Sequence, residues 1–173
     1  RPMMLAHPLE ENDIARIRWE DYAAEWKWDG IRVQIALRDD GARLFSRTGD
    51  EISAVFPDLT ETIRGRAVLD GELLVVRNGD VRPFNDLQQR LSRKTVSKAM
   101  LRDYPAWLRV YDILFDDEED VRPLPFRERR ARLASWIARQ APPRLDLSPL
   151  VPSGTPEHLT ALPARPRHGA LAG

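Results

Sequence analysis

The chain has no cysteine. That excludes a disulfide framework and any thiolate metal site. Lysine occurs only at positions 27, 94 and 98, although Lys and Arg together number 27. Chemistry that needs a side-chain amine therefore has three candidates. No run approaches the roughly 18 consecutive apolar residues of a membrane-spanning helix, and no secretory signal opens the sequence. An intracellular, cytoplasmic protein that does not contact a membrane is expected. Net charge is absent too, with 27 basic against 27 acidic residues. This argues against nucleic-acid binding through bulk charge and leaves room for a local basic face. There is no Gly-x-x-x-x-Gly-Lys phosphate loop and no internal repeat. What is present is 173 residues, 42% hydrophobic and 31% charged, the balance of one domain able to bury a core.

The stretch Glu25-Trp26-Lys27-Trp28-Asp29-Gly30-Ile31-Arg32 organises the rest. Ile31, Val33, Ile35 and Leu37 alternate with Arg32, Gln34 and Arg38, which predicts a strand over Ile31 to Arg38. Tyr22 to Trp28 reads as the strand before it, with Asp29-Gly30 as the turn between them. A lysine between two tryptophans can lose solvation, which lowers its pKa from about 10.4 and favours the nucleophilic free amine. A hairpin with a snorkelling lysine fits the same octet. Arg32 could hold an anionic group with an always-charged fork.

Further along, Asp39-Asp40-Gly41 predicts a tight turn and Ala42 to Arg47 a third antiparallel strand, running into Ser46-Arg47-Thr48-Gly49. Arg47 at a sheet rim could bind a phosphate bidentately. Val55, Phe56, Leu59 and Ile63 predict an amphipathic helix over Ala54 to Arg66, with Pro57 in its first turn. Ala67 to Val76 is strand-like yet contains Asp70 and Glu72, and burying an unpaired carboxylate is costly. Either a bulge at Gly71 turns both acids to solvent, or Glu72 points into a pocket, able to accept a ribose hydroxyl or help hold Mg²⁺. Asn78-Gly79-Asp80 is a hairpin signal. Short helices are expected over Asn12 to Arg18, Pro83 to Leu91 and Lys94 to Arg102. A buried strand is expected over Ala106 to Phe115, followed by a solvated acidic turn, Asp116 to Asp120. Phe126 to Gln140 is the clearest helix, striped by Leu133, Trp136 and Ile137. Leu145 to Leu147 fits a short strand, and Thr155 would cap a last helix reaching about Arg165.

These residues carry a family resemblance. Lys27-x-Asp29-Gly30-x-Arg32 resembles the nucleotidyltransferase signature shared by ATP-dependent DNA ligases, RNA ligases and mRNA capping enzymes. Ser46-Arg47-Thr48-Gly49 resembles the second motif and Asp70-Gly71-Glu72 the third. Tyr111-Asp112-Ile113-Leu114, with Pro123-Leu124, Arg127, Arg129 and Arg130, resembles motif IIIa. Pro2-Met3-Met4-Leu5-Ala6 and Pro83-Phe84-x-x-Leu87-Gln88-x-Arg90 are similar to ligase segments. The second of these is less expected in capping enzymes. The match runs roughly from Pro2 to Arg167 and is nearest to ATP-dependent DNA ligases of bacterial or archaeal type.

The resemblance implies an α+β, ATP-grasp-like nucleotidyltransferase adenylation domain, with mainly antiparallel sheets flanked by helices. It would cover 21–173, after a 1–20 lead-in. It implies that Lys27 attacks the α-phosphate of ATP to form lysyl-AMP. Arg32 and Arg47 would offset phosphate charge, Glu25 and Tyr111 would recognise adenine, the tyrosine stacking while its hydroxyl stays in water, and Glu72 would take the ribose or Mg²⁺. It implies nicked double-stranded DNA as partner, a monomer, and a flanking oligonucleotide-binding domain. The family's fourth motif, Glu-Gly followed by Lys, finds only His168-Gly169-Ala170-Leu171-Ala172-Gly173, and the fifth is absent, so a fragment is expected. An RNA ligase or capping-type enzyme, and a non-catalytic nucleotide- or DNA-binding fragment, are the alternatives.

Overall fold

Alternation of apolar and polar residues builds the central strands. The computed structural model describes residues 3, 7, 8, 10–14 and 16–151. In β2 (Ile31–Arg38), Val33, Ile35 and Leu37 are buried while Arg32, Gln34 and Ala36 are half-buried. The Asp39-Asp40 turn returns the chain as β3 (Gly41–Ser46), antiparallel to β2, with Arg38 opposite Gly41. On its other edge β2 pairs antiparallel with β4 (Ala67–Arg77), which pairs with β6 (Ala106–Asp116). Asn78 (φ 56°) and Gly79 (φ 85°) make the turn into β5 (Asp80–Val81), as their type I′ chemistry requires. A hairpin adds β7 (Glu119–Asp120), and β8 (Leu145–Leu147) joins β6 in parallel. Among the described residues these form one seven-stranded sheet, while β1 (Ala24–Glu25) and β9 (Leu150–Val151) pair separately. The α+β, mainly antiparallel architecture expected from the sequence is present.

One face of the sheet is the core. Leu69, Leu73, Leu108, Val110 and Ile113 meet Leu133 and Trp136 of α5 (Phe126–Gln140) there, together with Phe56, Leu59 and Ile63. The helix α5 has the bounds its stripe predicts, and Ala141 ends it in the left-handed region, φ 40°. Other helices are shorter than expected. The 54–66 stretch gives a 3₁₀ turn, Ser53–Val55, and a single helical turn, α2 (Pro57–Thr60). Its apolar stripe is buried as predicted. The Thr62 hydroxyl, however, bonds back to the Asp58 carbonyl, and Arg64 takes the carbonyls of Thr60, Glu61 and Ile63, closing the helix early. Following α3 (Phe84–Leu91), the helix expected from Lys94 begins only at Lys98, because Ser97 accepts the Met100 N–H as its cap; this is α4 (Lys98–Asp103). The first helix is Glu11–Ile14, α1, rather than Asn12 to Arg18. The strand expected over Tyr22 to Trp28 shrinks to β1, whose partner β9 is equally short. The helix expected from Thr155 lies outside the described residues. No described helix is long and apolar enough to cross a membrane.

Candidate active site

The sheet face opposite the core carries the polar residues. Arg32 of β2 stands opposite Glu72 of β4, and Gln34 opposite Asp70. Strand β6 adds Arg109 opposite Glu72, and Tyr111 beside Asp70. Lys27 lies in the irregular stretch between β1 and β2, close enough for its charge to act on Glu72.

Asp70 is 3% exposed and organises this face. Arg32 Nε donates to its Oδ1 at 3.1 Å and Nη2 to its Oδ2 at 2.7 Å. The Tyr111 hydroxyl also donates to Asp70, and the Arg32 guanidinium sits 5.8 Å from the Tyr111 ring centroid. Burial, with Asp70 adding to it, raises the Tyr111 pKa, so the phenol stays neutral. Asp70 is thus a buried acid satisfied by an always-charged fork and a phenol. The sheet is bulged between Asp70 and Gly71, as the sequence allowed. The bulge does not turn the acids to solvent: Asp70 goes onto Arg32, and Glu72 is half-buried. The close approach of β6 explains Gly71, since a Cβ there would lie 2.6 Å from the Arg109 carbonyl oxygen.

Burial pushes the Glu72 carboxyl up to about 7. The Gly30 N–H that donates to it opposes this shift, as do Lys27 and Arg32. The Asp29-Gly30 turn is therefore bound to β4 directly. A Cβ at Gly30 would lie 2.3 Å from the Leu73 carbonyl oxygen and 2.9 Å from Glu72 Cγ. Glycine is needed at position 30 for proximity rather than for an unusual φ.

Three expectations change. Lys27 is exposed, not desolvated between tryptophans. Trp28 instead packs on Arg109, its ring centroid 4.1 Å from the guanidinium carbon. The Tyr111 hydroxyl is not left in water but bonded to Asp70. The Arg32 fork, expected on an anionic substrate, has Nε and Nη2 on Asp70.

Glu25 lies at the end of β1, 3.4 Å from Arg130 Nη1. Burial raises its carboxyl pKa, and Arg130 opposes the shift. Arg47 is exposed in the turn after β3. Its neighbour Ser46 pairs with Val33, which sets Arg47 level with Arg32 at the sheet edge. Among the described residues no hydrogen bond ties Arg47 to the other five. No group of three His, Cys, Asp or Glu could hold a metal ion among the described residues.

Sequence reasoning missed several participants. Arg109, 4% exposed, makes a bidentate pair with Asp146 at 2.9 and 2.6 Å. Arg129 and Asp112, both within the motif IIIa resemblance, pair in the same way, at 2.9 Å twice. A cation inside the apolar run Ala106 to Val110 was the available signal, because it must be paired when buried.

The family model described as "ATP dependent DNA ligase domain" matches residues 3–164. A "Probable DNA ligase" of Koribacter versatilis is 38% identical over 149 residues, 84% of this chain and 26% of the relative. A DNA ligase of Aeropyrum pernix is 31% identical over 166 residues, 92% of this chain and 27% of the relative. The chain thus spans about a quarter of the length of these relatives. Among solved structures, the ligase domain from M. tuberculosis LigD matches with TM-score 0.57 and 25% identity, over 76% of this chain and 40% of that one. A mycobacterial DNA ligase D complexed with ATP and MES matches over the same shares with TM-score 0.58.

Proposed function

The chain belongs to the ATP-dependent DNA ligase domain family, and from that premise we propose that it is the adenylation domain of a DNA ligase, with Lys27 as its nucleophile. The observation that carries the reading is the convergence of Lys27, Arg32, Glu72 and Tyr111 on one sheet face. Lys27 is exposed, so ATP can reach it from solvent. The free amine then attacks the α-phosphorus of ATP. A P–N bond forms, the bond to pyrophosphate breaks, and AMP stays on Lys27. The 5′-phosphate of a DNA nick then takes the AMP, and the 3′-hydroxyl attacks to seal the strand and release AMP.

The other residues bind and orient. Arg32, fixed by Asp70, places a permanent cation opposite Glu72 to offset phosphate charge. Arg47 adds a second cation from the sheet edge, toward the nucleotide or the nick 5′-phosphate. Tyr111, with its hydroxyl bound to Asp70, presents a ring of fixed orientation for adenine to stack on. Glu25 hydrogen-bonds the base. Glu72 takes a ribose hydroxyl or contributes one oxygen to Mg²⁺, which commonly uses one or two carboxylates plus substrate phosphates. When bound, Mg²⁺ polarises the phosphoryl oxygens. The domain occupies 21–173 after a 1–20 lead-in, acts as a monomer in the cytoplasm, and works beside an oligonucleotide-binding domain.

The test is transfer of label from ATP marked at the α-phosphorus. Label should attach to the wild-type chain and not to Lys27→Ala of equal stability, and nicked DNA bearing a 5′-phosphate should discharge it. Labelling by GTP in preference to ATP would assign a capping-type enzyme. Discharge only onto nicked RNA would assign an RNA ligase. Persistent labelling of Lys27→Ala would remove Lys27 from the reaction.

A further inference from the structure

Lys27 belongs to no strand. β1 ends at Glu25 and β2 begins at Ile31, so the ladder does not fix residues 26–30. Gly30 is tied to Glu72 of β4, and the other anchors come from a segment about 120 positions away. Trp28 Nε1 donates to Ser148 Oγ at 3.0 Å, a separation of 120 residues in the chain. The Trp28 ring lies against Arg109, which Asp146 holds with two hydrogen bonds. Ser148 is itself fixed. It is 1% exposed, its N–H donates to the Val110 carbonyl at 2.8 Å, and its carbonyl accepts from Arg130 Nη2. On the other side of Lys27, Glu25 pairs with Leu150 in the β1–β9 ladder and meets Arg130 Nη1. Arg130 Nη1 also reaches the Tyr111 carbonyl at 3.4 Å.

We infer that the segment Asp146 to Val151, together with Arg109 and Arg130, is a clamp that positions Lys27 over the sheet face, with Trp28, Asp146 and Ser148 as positioning residues for its attack. The inference rests on the lysyl-AMP reading above. A nucleophile gains much of its rate from being held in a near-attack geometry. Here one tie fixes the residue two before Lys27 and another the residue just after it, and both ends return to the same short segment. An exposed lysine on an irregular stretch is thereby given a defined origin without being buried.

Ser148→Ala and Trp28→Phe delete the same hydrogen bond, and Phe keeps a ring over Arg109. The experiment is single-turnover formation of the Lys27 adduct across a range of ATP concentrations. The rate constant at saturating ATP should fall about 2- to 12-fold in each variant, the span expected for one lost neutral hydrogen bond. Half-saturation should be unchanged, and the double variant should be no slower than the slower single. Amide hydrogen exchange should quicken over 24–30 and not over 67–76. A saturating rate equal to wild type, with only the melting temperature lowered, would overturn the clamp. So would single effects that multiply in the double variant. If wild type forms no adduct, the reading of the function fails instead, and exchange still decides: unaltered protection of 24–30 in both variants would overturn the clamp independently of activity.

Discussion

Replacing Gly30 by alanine tests how the turn after Lys27 is joined to the sheet. A glycine to alanine change that fits the backbone stabilises by about 0.4–1 kcal/mol, through the unfolded chain. Gly30 is not among the positive-φ residues, so conformation alone would favour alanine. Space does not. The new Cβ would meet the Leu73 carbonyl oxygen at 2.3 Å, Leu74 Cδ2 at 2.8 Å and Glu72 Cγ at 2.9 Å. The nearest of these is backbone in the middle of a paired strand and cannot swing aside. Overpacking of this kind costs about 1–3 kcal/mol. Moving the turn away also removes the Gly30 N–H from Glu72, and a hydrogen bond to a charged group contributes about 1.5–3 kcal/mol. The net loss should be about 2–5 kcal/mol, a large part of the 5–15 kcal/mol typical of a domain. Urea unfolding followed by tryptophan fluorescence measures it, and titration of Glu72 should show its pKa displaced further upward. Stability within about 0.5 kcal/mol of wild type would refute the claim that the turn is packed onto β4.

Glu72 makes stability depend on pH. Its folded pKa of about 7 lies above the ordinary 4.5, so its contribution is present in full below about pH 4.5 and is lost as pH rises through 7. The loss amounts to at most about 3 kcal/mol. Glu72→Gln should flatten the difference in urea midpoint between pH 5 and pH 8; an unchanged difference would assign it to another group. Arg90 is fully buried, gives Asp58 two hydrogen bonds at 2.7 and 2.9 Å, and packs on Phe56 at 4.5 Å. Arg90→Met leaves the Asp58 carboxylate buried and should cost about 3–5 kcal/mol in chemical denaturation. A loss under about 1 kcal/mol would contradict this. Tyr111→Ala should weaken ATP binding about 5- to 150-fold by calorimetry, as loss of a stacking ring does. Tyr111→Phe, which keeps the ring and loses its tie to Asp70, should weaken binding less than Tyr111→Ala, and equal affinity in all three proteins would remove the stacking role.

The parts legible in the sequence share a local cause. β2 and α5 follow from periodicity over eight or more residues, β4 and β6 from long, largely apolar strand-like runs, and the β2–β3 and β4–β5 turns from Asp-Asp-Gly and Asn-Gly. The convergence of Lys27, Arg32, Glu72 and Tyr111 was legible through motif order. The misread parts depend on distant partners. Tyr22 to Trp28 alternates well enough for a strand, but its length is set by two residues near position 150. Whether Asp70 faced solvent or Arg32 depended on the β2–β4 register, which no short window encodes. Arg109, Asp146 and Ser148 carried no motif, and their roles arise from contacts 37 and 120 residues apart.

The central claim is that Lys27 carries AMP. Intact mass measured after incubation with ATP and Mg²⁺, followed by peptide mapping, addresses it most directly, because the other lysine candidates are only Lys94 and Lys98. The account predicts a gain of one AMP, located on the peptide containing Lys27. A gain located on Lys94 or Lys98 would contradict it.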